Sequence, residues 1–122
     1  MSAVRKIVFL ACLWAAPMAH AADDWARISD RAAFLQTLAG RQLHIGFFGL
    51  SLLVTPDGQI TGRALGYDVR GEWAWQDGYF CRSMTWGDEP IPYNCQLVQA
   101  TETEMRFTSD KGQGRSADFR LR

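Results

Sequence analysis

The sequence predicts a mainly β domain: an antiparallel sheet, small barrel or sandwich of about seven or eight strands, with one helix at its N-terminal end. Three observations predict it. Beyond Gly40, short runs of mixed apolar and polar residues recur at spacings of about ten residues. Compact turn signals separate them: Pro56-Asp57-Gly58, Leu65-Gly66-Tyr67, Asp77-Gly78, Gly87-Asp88-Glu89-Pro90 and Asp110-Lys111-Gly112. No second helical segment alternates with these runs, which argues against a parallel α/β sheet.

The first element is a leader. Arg5 and Lys6 precede an apolar run from Ile7 to Ala16, followed by Pro17 and the small-x-small end Ala19-His20-Ala21. That order of charge, apolar core and cleavage site is a secretory signal peptide. The run falls short of the ~20 apolar residues that a membrane-crossing helix needs. Residues 1–21 are therefore read as the signal and 22–122 as a single exported β domain. Leu10-Ala11-Cys12 faintly resembles a lipid-attachment box, but Phe9 departs from it. Removing the leader takes away two basic residues and no acidic one, so the 13 acidic residues end two ahead. A slightly acidic domain without a basic run argues against nucleic acid as a partner. After cleavage no membrane span is expected, and the protein is placed in the periplasm or outside the cell.

The helix comes next. Ser29 or Asp30 caps "RAAFLQTLAG", in which Ala33, Phe34, Leu35 and Leu38 make an apolar stripe and Gly40 supplies the stop. Trp25 and Ile28 are read as extending that stripe backwards. Strands are then expected at 41–45, 48–55, 59–63, 71–76, 79–86, 93–99, 104–108 and 116–121.

The segment "WAWQDGYFCRSMTW", 73–86, is the most informative. Asp77-Gly78 suits the two positive-φ positions of a type I′ hairpin. Trp75 then faces Phe80, Ala74 faces Cys81, and Trp73 faces Arg82. Alternation puts Trp73, Trp75, Phe80, Arg82, Met84 and Trp86 on one face. With Cys12 gone, Cys81 and Cys95 remain in an oxidising compartment, where an even pair reads as a disulfide. A hairpin centred on Asp88 sets them opposite one another, at a separation a disulfide spans. The bridge closes a loop of about 15 residues, worth on the order of 3 kcal/mol. This register also sets Arg82 opposite Asn94 and Phe80 opposite Gln96. An aromatic face carrying an arginine and two amides reads either as core or as a pocket with a few convergent polar groups. The candidate ligand-binding residues are Trp73, Trp75, Phe80, Arg82, Asn94 and Gln96. A small apolar molecule, a sugar or a periplasmic protein would be the partner.

W-x-W-x-D-G-x-x-C-R, from Trp73 to Arg82, followed by N-C-Q, from Asn94 to Gln96, resembles a group of small exported alphaproteobacterial proteins of unknown function. The resemblance implies compartment and fold class. Some such sequences carry a dihydrodipicolinate reductase label. The residues do not support that activity, because a nicotinamide cofactor needs a strand, a Gly-rich turn and a helix around its pyrophosphate. No G-x-G-x-x-G is present, and Gly112-Gln113-Gly114 has no helix after it. No cofactor is implied.

Other chemistry is weakly signalled. Cys81-Arg82 would be an activated thiolate only if the cysteine stayed reduced. His44 has no cysteine or serine partner in sequence to act on as a base. Nothing draws any two of Asp68, Glu72, Asp88 and Glu89 together as a hydrolytic pair. Zinc is disfavoured, with one histidine and one cysteine pair left after cleavage. The sequence therefore favours a non-enzymatic binding or interaction module. The alternatives are an inhibitor or envelope-stress partner presenting a loop near 87–92, and a hydrolase using His44 or acidic residues.

Overall fold

The computed structural model describes residues 24–122; the leader at 1–21 and Cys12 lie outside the described residues. Strand β1 (Ala26–Ile28) leads into helix α1 (Arg31–Leu38). Eight strands follow: β2 (Leu43–Ile45), β3 (Leu50–Val54), β4 (Gln59–Ala64), β5 (Tyr67–Gln76), β6 (Tyr79–Trp86), β7 (Glu89–Ala100), β8 (Glu104–Thr108) and β9 (Ser116–Leu121). Each of β2 to β9 pairs antiparallel with the next, and β9 returns to β2, so the sheet closes into an eight-stranded barrel. Of the three shapes left open by the sequence, the barrel is the one formed. β1 is an extra strand, laid along the C-terminal end of β7.

Closure removes the free edges of a sheet, and the interior alternates with the exterior along every strand. The turns at 55–58, 77–78 and 101–103 gather at one end of the barrel. Those at 46–49, 65–66, 87–88 and 109–115 gather at the other. Helix α1 plugs the first end. Asp30 caps it by accepting a hydrogen bond from the backbone of Ala33 at 2.8 Å, satisfying one of the donors a helix start leaves unpaired. Phe34, fully buried, then drops into the barrel against Trp73, Trp75, Phe80 and Phe107, with ring centroids 5.1–6.3 Å apart.

The hairpin register agrees residue for residue with the expectation: Trp73 opposes Arg82, Ala74 opposes Cys81, and Trp75 opposes Phe80. Asp77 and Gly78 take φ of 53° and 87° as the turn requires. On the next ladder Phe80 opposes Gln96, Cys81 opposes Cys95, and Arg82 opposes Asn94. The disulfide joins Cys81 to Cys95 on the outer wall, with Cα atoms 3.9 Å apart.

Several boundaries differ from the expected ones. Trp25 and Ile28 do not prolong the helix; Ile28 lies in β1 and opposes Val98, because Ser29 and the extended Asp30 cap intervene. β2 and β3 are shorter than expected: β2 begins only at Leu43, and the 3-10 turn at Gly46–Phe48 delays β3 to Leu50. β7 is longer: the turn is only Gly87-Asp88, and Pro90 and Pro92 lie inside the strand. They are tolerated because residues 89–96 pair with β6 alone, and a proline facing an unpaired edge removes no ladder bond. Between Arg82–Asn94 and Met84–Ile91 the register slips by one. That slip is a bulge in β7 beside Pro92.

One join in the ring is thin. β2 and β9 share two residue pairs, Leu43 with Leu121 and His44 with Arg120, extended by reciprocal backbone bonds between Gln42 and Arg122. Because β2 then turns off into the 3-10 segment, the first half of β9 has no strand along that edge. The barrel is unzipped there, towards the end without the helix.

Candidate functional site

Inward-facing side chains fill the helix end and leave space beyond it. A cavity of about 250 Å³ opens in the middle of the barrel. Its apolar wall comes from alternate positions of several strands, including Leu52, Ile60, Phe107 and Phe119. Its polar wall is Arg82 and Gln96 on neighbouring strands, with Ser109 and Arg115 from the β8–β9 connection; Ser116, at the start of β9, borders it with its hydroxyl 2.7 Å from that of Thr108. A second lobe of about 300 Å³ shares Leu52, Met84 and Phe119 with the first and is lined by apolar residues throughout. Phe48 and Leu65 stand at its outer rim. With the neighbouring Phe47, 90 % exposed, and Tyr67, they make the open end of the barrel apolar.

The six candidate residues separate into three groups. Phe80, Arg82 and Gln96 line the cavity. Trp73 and Trp75 belong to the plugged end, where their indole N–H groups donate to the carbonyls of Thr55 at 2.9 Å and Ser29 at 3.2 Å. Trp73 is buried, and its ring stacks with Phe80 and lies beneath Arg31. These two rings therefore floor the cavity from below and do not line it. Asn94 is a latch. Its amide donates to Asp110 Oδ1 at 2.7 Å, and its carbonyl accepts the Asp110 backbone N–H at 2.9 Å. That pair of bonds holds the 109–115 connection against β7, which carries Ser109 and Arg115 to the cavity.

Arg82 is the unusual member. It is part-buried, and its guanidinium donates to the carbonyl of Pro92 at 2.7 Å, the oxygen that the β7 bulge turns toward it. Burial holds it below the ordinary arginine value, yet arginine remains a cation at any physiological pH. Among the described residues neither Arg82 nor Arg115 has a carboxylate within ion-pair distance. No aspartate or glutamate lines the cavity. Gln96 is satisfied locally, its amide 3.4 Å from Ser109 Oγ.

The residues weighed for catalysis lie elsewhere. His44 follows the inward Leu43, so it points outward, and its Nδ1 is 3.1 Å from Ser51 Oγ on the outer wall. Segment 87–92, considered as a protruding inhibitory loop, is a two-residue turn followed by strand. Among the described residues no group of three His, Cys, Asp or Glu side chains converges.

Ser109, Arg115, Ser116 and Phe119 were not identified from the sequence. The alternation Ala117, Phe119, Leu121 gave their strand an inward face, but only the closed ring brings it opposite β6. Among known proteins the chain matches no family model, no curated protein and no solved structure.

Proposed function

We propose that this protein is a periplasmic or secreted binding module that takes a small, largely apolar molecule into its barrel. The observation that carries the reading is the central cavity of about 250 Å³, apolar on most sides with a few convergent polar groups. That is the usual make-up of a small-molecule site. The plugged helix end and the open, apolar opposite end give the space a floor and an entrance. The disulfide supports an oxidising compartment, as does the leader-like N-terminus. Segment 87–92 forms a short turn and strand with no protruding loop, and His44 lies outside the cavity, which favours binding over an inhibitory loop or a hydrolase built on His44.

The test is thermal unfolding of the purified protein with a panel of short apolar compounds. A compound present at a hundredfold its Kd adds about 2.7 kcal/mol to folded-state stability. For a domain of this size that raises Tm by roughly 10 °C or more. Filling the space with Met84→Trp is expected to abolish the shift while the protein still melts cooperatively. An unchanged shift in that variant would place the ligand elsewhere and overturn the reading.

A further inference from the structure

The reading of the barrel interior as a binding site leaves the kind of ligand open, and the charges of the cavity wall narrow it. Two cations, Arg82 and Arg115, line the space, and no anion does. The whole chain is formally neutral, with 13 basic and 13 acidic residues, so this local excess does not reflect a generally basic protein. Arg82 spends only one of its donor nitrogens on Pro92. A guanidinium presents five N–H donors in a rigid fork suited to a carboxylate. A cation beside low-dielectric walls attracts anions more strongly than the same charge in open water. Ser109, whose Oγ accepts from the Gln96 amide, has a hydroxyl proton to donate at the same wall.

The remainder of the wall is hydrocarbon. Phe80 and Met84 flank Arg82 on β6, and Phe107 and Phe119 stand on β8 and β9, the strands joined by the connection that carries Arg115, a lining that suits a chain and does not suit a sugar or an inorganic anion. At ~30 Å³ for each water- or methylene-sized group, the cavity admits about eight of them. The second lobe lies beyond Met84 and Phe119. Arg115 and Ser116 are exposed, at the half of β9 that has no partner on its β2 side. The polar end of an occupant would thus sit by the unzipped seam, and its chain would run inward.

We infer that the cavity takes a single-chain anionic amphiphile, in its simplest form a medium-chain carboxylate, with its head on Arg82 and Arg115 and its chain against Phe107, Met84 and Phe119. This rests on the barrel interior being the binding site, and the experiment separates the two ideas. Isothermal titration of the purified, disulfide-bonded protein is run with octanoate, 1-octanol and octylamine. Octanoate is expected to bind at least tenfold more tightly than the alcohol, and the amine more weakly than either.

If none of the three binds, the binding-site reading falls and takes this inference with it. If the alcohol or the amine binds as tightly as the carboxylate, the site stands and the anionic headgroup is overturned. Arg82→Gln and Arg115→Gln, each checked for folding by circular dichroism, are expected to narrow the tenfold preference. The double variant is expected to erase it. A carboxylate preference that survives in the folded double variant would overturn the assignment of the head to these arginines. Should Arg82→Gln fail to fold, the comparison of ligands on the unaltered protein, together with Arg115→Gln, still decides the matter.

Discussion

At the scale of single residues, the tryptophans of 73–86 show how far composition misleads about role. Each of the three gives its indole N–H to a backbone carbonyl: Trp73 to Thr55, Trp75 to Ser29 and Trp86 to Ala64. A buried indole needs such a partner, and here the partners belong to other segments, so the rings tie those segments to the β5–β6 hairpin. Their number reflects fastening more than recognition. The outer wall has a comparable fastening in Arg106, which grips Asp118 with two nitrogens at 2.7 and 2.9 Å while its guanidinium covers Trp25 at 4.0 Å. The hydrogen bond from Arg106 holds the Asp118 carboxyl below its ordinary value. A carboxylate depressed in the folded state stabilises fully above its unfolded pKa, about 4, and loses that contribution as pH falls through the folded value. Asp118→Asn is therefore expected to lower the urea midpoint at pH 7 and to match the unaltered protein near pH 2. The pair is part-exposed, so the difference at pH 7 should be small. Equal midpoints at both pH values would show that the pair contributes nothing.

At the scale of elements, the hairpin was the part most legible in the sequence. A two-residue turn and a cysteine pair constrain register from both ends, and period-two alternation then settles which side chains face inward. Phe80, Arg82 and Gln96 were placed together on that basis alone. What alternation does not encode is the end of the sheet that the helix covers. The same face therefore divides into a buried floor under α1 and an open cavity above it. The bulge at Pro92 and the 3-10 turn at Gly46–Phe48 were hidden for a related reason: each depends on what lies across the strand. Two strand glycines carry a similar message. A Cβ on Gly62 would stand 2.0 Å from the carbonyl oxygen of Ser51, and one on Gly71 would stand 2.4 Å from that of Ser83. Both positions face inward on β4 and β5, where neighbouring backbones approach closely as the sheet curls. Gly62→Ala is expected to destabilise by about 3 kcal/mol, at the upper end for overpacking. Gly46→Ala, whose added carbon meets only His44 Nε2 at 3.6 Å, is expected to stay within about 0.5 kcal/mol. Chemical denaturation of the two variants tests the contrast, and equal losses would refute the close-approach account.

At the scale of the whole molecule, the barrel is asymmetric along its axis. Aromatic packing, the helix, β1 and the C-terminal contacts of Gln42 with Arg122 collect at one end. The other carries exposed Phe47, Phe48 and Leu65, the last held at a φ of 49°, which a leucine rarely adopts. Cohesion and access are thus separated in space, the arrangement that the proposed binding role calls for. The cavity was the least legible feature in the sequence, because it is made by strands distant in the chain, β6 with β9 and β3 with β8. The seam between β2 and β9 has a further consequence, for how the protein behaves among copies of itself. A run of backbone N–H and C=O groups without a neighbour is a template for another strand, and proteins defend such edges with charge. The first half of β9 is such a run; Asp118 stands on its outward side and Arg120 just beyond it, where pairing with β2 begins, alternating with the inward Ala117, Phe119 and Leu121. Replacing both with valine is expected to produce concentration-dependent self-association in sedimentation velocity, with the unaltered protein sedimenting as one species. A double variant that stays a single species would mean that the 3-10 turn alone screens the edge. By this account the charges on the last strand keep a deliberately incomplete ring from being completed by a neighbour.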